Sequence, residues 1–139
     1  MKRISFLLCM VVFGYAAKAK TNRPNFIIVI GDDISWNDLG CYGNPVVRTP
    51  HIDRLASQGI KYNSSFLTAS SCSPSRCSII AGRYPHNTGA AELHTPLPKG
   101  MPTLPGELKK SGYYTAAAGK WHLGPHARAA FDLVVEQGN

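Results

Sequence analysis

Three short stretches hold residue types that could do chemistry together. "CSPSRCSIIAGR", residues 72–83, places Cys72 four residues ahead of Arg76, with a second thiol, Cys77, just after it. Cys72 opens what reads as a short helix, where unpaired N–H groups and the helix dipole favour an anion. Arg76 adds a fixed positive charge one turn later. The thiol can be half a disulfide, a metal ligand or a nucleophile. A Cys72–Cys77 bridge across a helix start is geometrically awkward. Two cysteines without a matching Cys or His pair are too few for structural zinc. The spacing is not the Cys-x-x-Cys of a redox module.

Asp32 and Asp33 end the apolar run "NFIIVIGDD". Adjacent carboxylates repel, and at the end of a buried strand they call for a cation. Their hard oxygens suit Ca²⁺ or Mg²⁺. A solvated turn with a helix cap is the alternative. In "GKWHLG", residues 119–124, Lys120 and His122 alternate on what reads as extended backbone and share a face. A lysine there can clamp an anion while the imidazole moves a proton. The alternative is a surface loop with Trp121 packed inward. His86 and His94, in the Pro/Gly-rich loop after residue 83, either line a pocket or lie in solvent.

These residues need elements to position them. "NFIIVI" reads as a strand buried on both faces, as in a mostly parallel sheet. "TPHIDRLASQG" reads as a helix capped by Thr49, with Pro50 in its first turn and Gly59 as its stop. "IKYNSSF" alternates like a strand. The stretch from Cys72 enters a helix that stops near Gly82, and a further helix in "TLPGELKKSG" runs from a Thr103 cap to Gly112. "YYTAAAGKWHLG" begins as a strand and ends as a loop. Strand and helix alternate, the pattern of an α/β layered fold whose ligands bind beyond the carboxyl ends of the strands. Asp32–Asp33, Cys72–Arg76 and Lys120–His122 are therefore expected at one sheet edge.

The bulk composition agrees. A chain of 139 residues with 44% apolar and 17% charged residues is globular in character. Its formal charge of +7 includes Lys2, Arg3 and Lys18. No run of Lys or Arg is interleaved with aromatics, so a nucleic-acid role has little support. "MKRISFLLCMVVFGYAAKAK" has the layout of a secretory signal, residues 1–19, with Ala17 and Ala19 before the cut. Its apolar run is shorter than the ~20 residues of a spanning helix, and the residues before Cys9 are too bulky for a lipobox. The expectation is an exported protein, periplasmic or secreted, with residues 20–139 as its folded part and no integral membrane segment after cleavage. Export would leave Cys41, Cys72 and Cys77, an odd number in an oxidising compartment. Asn63 opens an "NSS" glycosylation sequon, which matters in a eukaryotic, for instance lysosomal, setting.

"CSPSRCSIIAGR" resembles the signature of the type I sulfatases, Cys-x-Pro-Ser-Arg followed by Gly-Arg, through Cys72, Pro74, Ser75, Arg76, Gly82 and Arg83. Ala81 stands where the family often has threonine. "GDD" and "GKWHLG" resemble further family motifs in the right order, and the resemblance covers residues 24–139. It implies an alkaline-phosphatase-like α/β fold with a mostly parallel central sheet, of which this chain is the N-terminal portion. It implies that a formylglycine-generating or sulfatase-maturating enzyme oxidises Cys72 to formylglycine, which is hydrated to a diol. Asp32, Asp33 and the converted Cys72 would hold Ca²⁺, and Arg76 would orient the formylglycine. Lys120 would neutralise sulfate oxygens, and His122 would take the proton of the second hydroxyl as sulfate is expelled. A diol suits this work because a hemiacetal sulfate collapses by elimination, avoiding a second attack at sulfur.

The resemblance further implies a sulfated carbohydrate substrate, with "GAAELHTPLP" and "GPHARAAFD" similar to sulfamidase-like enzymes. It also implies that further metal ligands lie beyond Asn139, so the 139 residues alone are expected to show little or no catalysis. Two other readings stay open at this point. One is a phosphonate or phosphodiester hydrolase of the same superfamily. The other is a non-catalytic exported fragment in which Cys72 remains a thiol.

Overall fold

Helix α1 spans Pro50–Gln58, α2 spans Cys72–Ala81 and α3 spans Leu104–Lys110 in the computed structural model, which describes residues 23–137. The expected signal segment, residues 1–19, with Cys9, lies outside the described residues. Contacts divide the chain into a unit ending at Gly31 and a second beginning at Asp32.

In the first unit the expected strand over "NFIIVI" does not form a ladder among the described residues: residues 23–31 pair with no described strand, and Ile27 and Val29 are almost fully exposed. β-propensity alone does not make a strand. The backbone N–H and C=O groups need a neighbour's ladder, and among the described residues this run has none. "IKYNSSF" departs from expectation for the same reason. Residues 60–66 are irregular, with Ile60, Tyr62 and Phe66 exposed.

In the second unit the three expected helices form where their caps place them. Thr103 caps α3, its Oγ1 accepting the Gly106 N–H at 3.2 Å. Thr49 precedes α1 but caps differently. Its hydroxyl accepts the Gly40 N–H at 2.9 Å and donates to Asp53 Oδ1 at 2.8 Å, which ties the helix to the turn before it. Helix α2 keeps Pro74 in its first turn, where a missing N–H costs nothing because those N–H groups have no intrahelical acceptor. It ends at Gly82, whose φ of 61° is left-handed.

Two strands, β1 (Ala116–Gly119) and β2 (Leu133–Glu136), pair in parallel with Ala116 opposite Leu133 and Gly119 opposite Glu136. β1 follows the sequence expectation; β2 has no sequence signal beyond a short apolar run. The crossover between them carries a 3₁₀ turn at His126–Ala130. Asp132 locks its end: its Oδ2 accepts from the Thr115 N–H (2.8 Å) and hydroxyl (3.1 Å), and Lys109 of α3 pairs with Oδ1 at 2.8 Å.

The core of this unit forms around α2. Cys77, Ala90, Leu97, Leu123 and Ala127 are buried, and Ile80, Met101 and Trp121 pack against them. The first turn of α2 is itself enclosed, with Ser73, Pro74 and Ser75 all buried. Ser78 secures its far end, accepting from Thr68 Oγ1 at 2.7 Å and donating to the Arg83 carbonyl at 2.6 Å. A helix start held this firmly can aim Cys72 and Arg76.

Candidate active site

Cys72 is the first residue of α2, and Arg76 lies one turn further on the same face. The backbone leaves β1 at Gly119, whose φ of 101° is open to glycine but costly to other residues, and so turns into residues 120–124. Trp121 anchors that turn. Its Nε1–H donates to the Gly124 carbonyl at 2.8 Å, its ring meets Phe131 edge-on at 5.5 Å, and the Arg128 guanidinium lies over it. Arg128 also pairs with Glu136 of β2. The inward Trp121 and the chemistry of its neighbours are thus parts of one arrangement, because the anchored indole leaves Lys120 and His122 to face the site.

Three charged groups distant in sequence meet there. Arg76 donates from Nη1 to the Lys120 carbonyl and from Nη2 to Asp32 Oδ1, both at 2.9 Å. Lys120 Nζ donates to Asp32 Oδ2 at 2.8 Å. Each oxygen of one carboxylate therefore holds a different cation. The hydrogen bond from Lys120, then that from Arg76, hold the Asp32 carboxyl below the usual carboxylate range. The same contact holds the Lys120 ammonium above its ordinary value, with a smaller contribution from the adjacent Cys72. Lys120 is a fixed cation at every physiological pH.

His122 behaves in the opposite way. Burial, then the charges of Lys120, His94 and Arg76, push its imidazole below the ordinary histidine value, with Asp32 acting weakly against them. Its Nδ1 is buried without a hydrogen-bond partner, as is Arg76 Nε. A histidine kept neutral beside two cations is a proton acceptor at neutral pH.

The structure brings together Asp32, Arg76, Lys120 and His122, with Cys72 at the helix start beside Lys120 and His94 against His122. His86 is set apart, with its ring stacked on Tyr84 at 5.8 Å on the exposed turn after α2. The expected metal trio of Asp32, Asp33 and Cys72 is not assembled. Among the described residues no three His, Cys, Asp or Glu side chains form a metal-holding group. Asp32 already accepts from two cations, and Asp33 is exposed on left-handed backbone with φ 56°. The two carboxylates fit Ca²⁺ in donor type, whereas a thiol is too soft for it. Cys72 fits such an ion only after conversion to an oxygen-bearing group. Cys41, Cys72 and Cys77 are all free thiols, and the buried Cys77 has its thiol pushed up by desolvation.

Sequence reasoning missed Asp132, which holds β1 to β2 and so fixes where Lys120 leaves the sheet. Nothing in "FDLVV" distinguishes that carboxylate from a surface residue.

The sulfatase family model matches residues 24–138, nearly all of the described chain. The chain belongs to the sulfatase family. This sulfatase chain is 44% identical over 121 residues to mouse steryl-sulfatase, covering 79% of the chain and 19% of that protein. It is 41% identical over 118 residues to an N-acetylgalactosamine-6-O-sulfatase of Bacteroides thetaiotaomicron, covering 81% of the chain and 23% of that protein. Among solved structures it superimposes with a TM-score of 0.73 and 34% identity on a protein in complex with its substrate D-glucosamine-2-N,6-O-disulfate. That match covers 79% of the sulfatase chain and 22% of the other. The expected α/β sulfatase architecture is thus that of its structural neighbours. The chain spans about a fifth to a quarter of the length of the curated relatives it matches.

Proposed function

We propose that this chain carries the nucleophile position and the anion-binding pair of a sulfatase that hydrolyses sulfate esters, releasing inorganic sulfate. The observation that carries the reading is the convergence on Asp32 of Arg76 and Lys120, 44 and 88 residues away in sequence, beside the helix start that holds Cys72. Converted to formylglycine by a maturating enzyme, Cys72 supplies a hydrated aldehyde as nucleophile. Asp32 and Asp33 would hold a divalent cation, Ca²⁺ by the family resemblance, which would supply positive charge where sulfate charge develops.

The chain's own residues do the rest. Lys120 stays charged and binds a sulfate oxygen. Arg76, fixed through the Lys120 carbonyl, orients position 72. His122, its Nδ1 buried without a partner and its imidazole held below the ordinary histidine value, offers Nε2 to the departing proton. Asp32, Asp33 and a converted Cys72 fall short of the ~6–8 oxygens that Ca²⁺ prefers, so these residues alone would hold the ion weakly and release little sulfate.

A sulfated carbohydrate is the substrate class we favour, because relatives named for N-acetylgalactosamine 6-sulfate and a neighbour bound to a sulfated glucosamine support it. We extend the reading to export, on the layout of residues 1–19 and the odd thiol that conversion would remove.

The test uses the full-length product expressed with a maturating enzyme. The tryptic peptide 62–76 is expected at the lighter mass of the aldehyde. Sulfate release is compared on a hexosamine 6-sulfate, a steroid sulfate and a phosphodiester. Cys72→Ala should cost at least about a thousandfold in kcat. An unmodified thiol with undiminished sulfate release would refute the formylglycine reading. A preference for the phosphodiester would refute the sulfate reading, and a preference for the steroid would refute the carbohydrate.

A further inference from the structure

His94 meets His122 edge to face, their ring centroids 5.3 Å apart with 79° between the planes. Both residues sit on left-handed backbone, His94 at φ 64° and His122 at φ 51°. Side-chain-bearing residues avoid this region, and such strain persists only where the surroundings impose it. The surroundings here are a clip between two loops. The Leu97 N–H donates to the Leu123 carbonyl at 3.0 Å, and both side chains are buried in the core. Gly124, at φ 78°, lies so close to Pro96 that an added Cβ would fall 2.3 Å from the proline Cβ. Two residues beyond each histidine, the loops are therefore in backbone contact. The clip seats the exposed His94 ring on the imidazole that stands beside Lys120 and Arg76.

We propose that His94 is a positioning residue for His122. Its ring closes one side of the imidazole whose Nδ1 is already buried without a partner, and so fixes the direction in which Nε2 points. The groups facing His122 are Lys120, Arg76 and Asp32 from the charge cluster and His94 from the loop. Of these only His94 comes from an element that takes no part in the Asp32 contacts. The assignment rests on the sulfatase reading for what His122 does, and on the clip and the ring contact for how it is held.

The test compares His94→Asn with His94→Phe in the full-length protein. Asparagine tolerates the left-handed backbone but removes the ring, whereas phenylalanine keeps an aromatic edge against His122. In His94→Asn, kcat for a sulfate ester is expected to fall about tenfold with KM little changed. The acid limb of its kcat/KM profile should move to higher pH, because His122 loses a ring that shields it from solvent. His94→Phe should recover most of the rate. A change confined to KM would make His94 a substrate contact and overturn the proposal. An unmoved kcat in His94→Asn, or a phenylalanine variant as slow as the asparagine one, would overturn it too. If the wild-type protein releases no sulfate, it is the sulfatase reading that fails. The titration of the His122 ring protons by NMR then still decides the positioning role. A midpoint raised in His94→Asn but less so in His94→Phe supports it, and one unchanged in both refutes it.

Discussion

Residues 34–67 and residues 72–131 belong to the same unit and are built differently. In the second stretch a helix start, a clipped pair of loops and an anchored tryptophan enclose Cys77, Ala90, Leu97, Leu123 and Ala127. In the first, helix α1 has no buried residue, and Val46, Ile60, Phe66 and Leu67 stand in solvent. The candidate site draws Cys72, Arg76, His94, Lys120 and His122 from the enclosed stretch. It takes only Asp32 from beside the open one, and Asp32 is held by charge rather than by packing. Groups that must keep an angle are seated on a core. The group that must exchange partners, if a cation is to reach it, is left exposed and electrostatic.

Truncating one apolar side chain in each stretch breaks the comparison most directly. Leu97→Ala removes the largest fully buried side chain, and should cost about 2–5 kcal/mol in denaturant unfolding. The matching change at the exposed Leu67 should stay within about 0.5 kcal/mol. Equal losses at the two sites would show that the open stretch is covered in solution.

Gly124→Ala is the next largest effect. The new methyl must displace Pro96 and accept a left-handed backbone, at about 1–3 kcal/mol. Because it loosens the clip, it should also lower kcat more than KM rises. Unchanged kinetics in a stable Gly124→Ala protein would argue that the clip does not set the His94–His122 contact.

The smallest effect is in pH. The Asp32 and Asp132 carboxyls are held below their ordinary range in the folded chain, so their stabilisation is complete above the unfolded value of about 3.9. It is lost as pH falls below that value through the folded ones. His122, also lowered, adds a slope of the same sign that begins near its unfolded value of about 6.5. Lys120, raised by Asp32, acts at the alkaline end, where its contribution is lost as pH rises through its folded value. Tm should therefore sag slightly below pH 6.5 and drop more steeply below about 4. High salt should flatten the part that depends on the exposed Asp32. A Tm independent of pH between 3 and 7 would mean that these ion pairs are not populated in solution.

The primary structure by itself determined the local elements and the chemical inventory. Thr103, Gly82 and Gly112 mark helix ends because capping and left-handed turns depend on the residue present and its immediate neighbours. The order of the "GDD", "CSPSR" and "GKWHLG" motifs marks the family because residue type and spacing are linear properties. Tertiary structure alone decided which apolar runs become strands. "NFIIVI" and "LVVE" have similar propensity, yet only the second finds a ladder among the described residues, clamped there by Asp132. It alone decided that Asp32 answers to Arg76 and Lys120 and that His94 faces His122. This ladder, these ion pairs and this ring contact join groups from 17 to 88 residues apart, beyond the reach of local propensity.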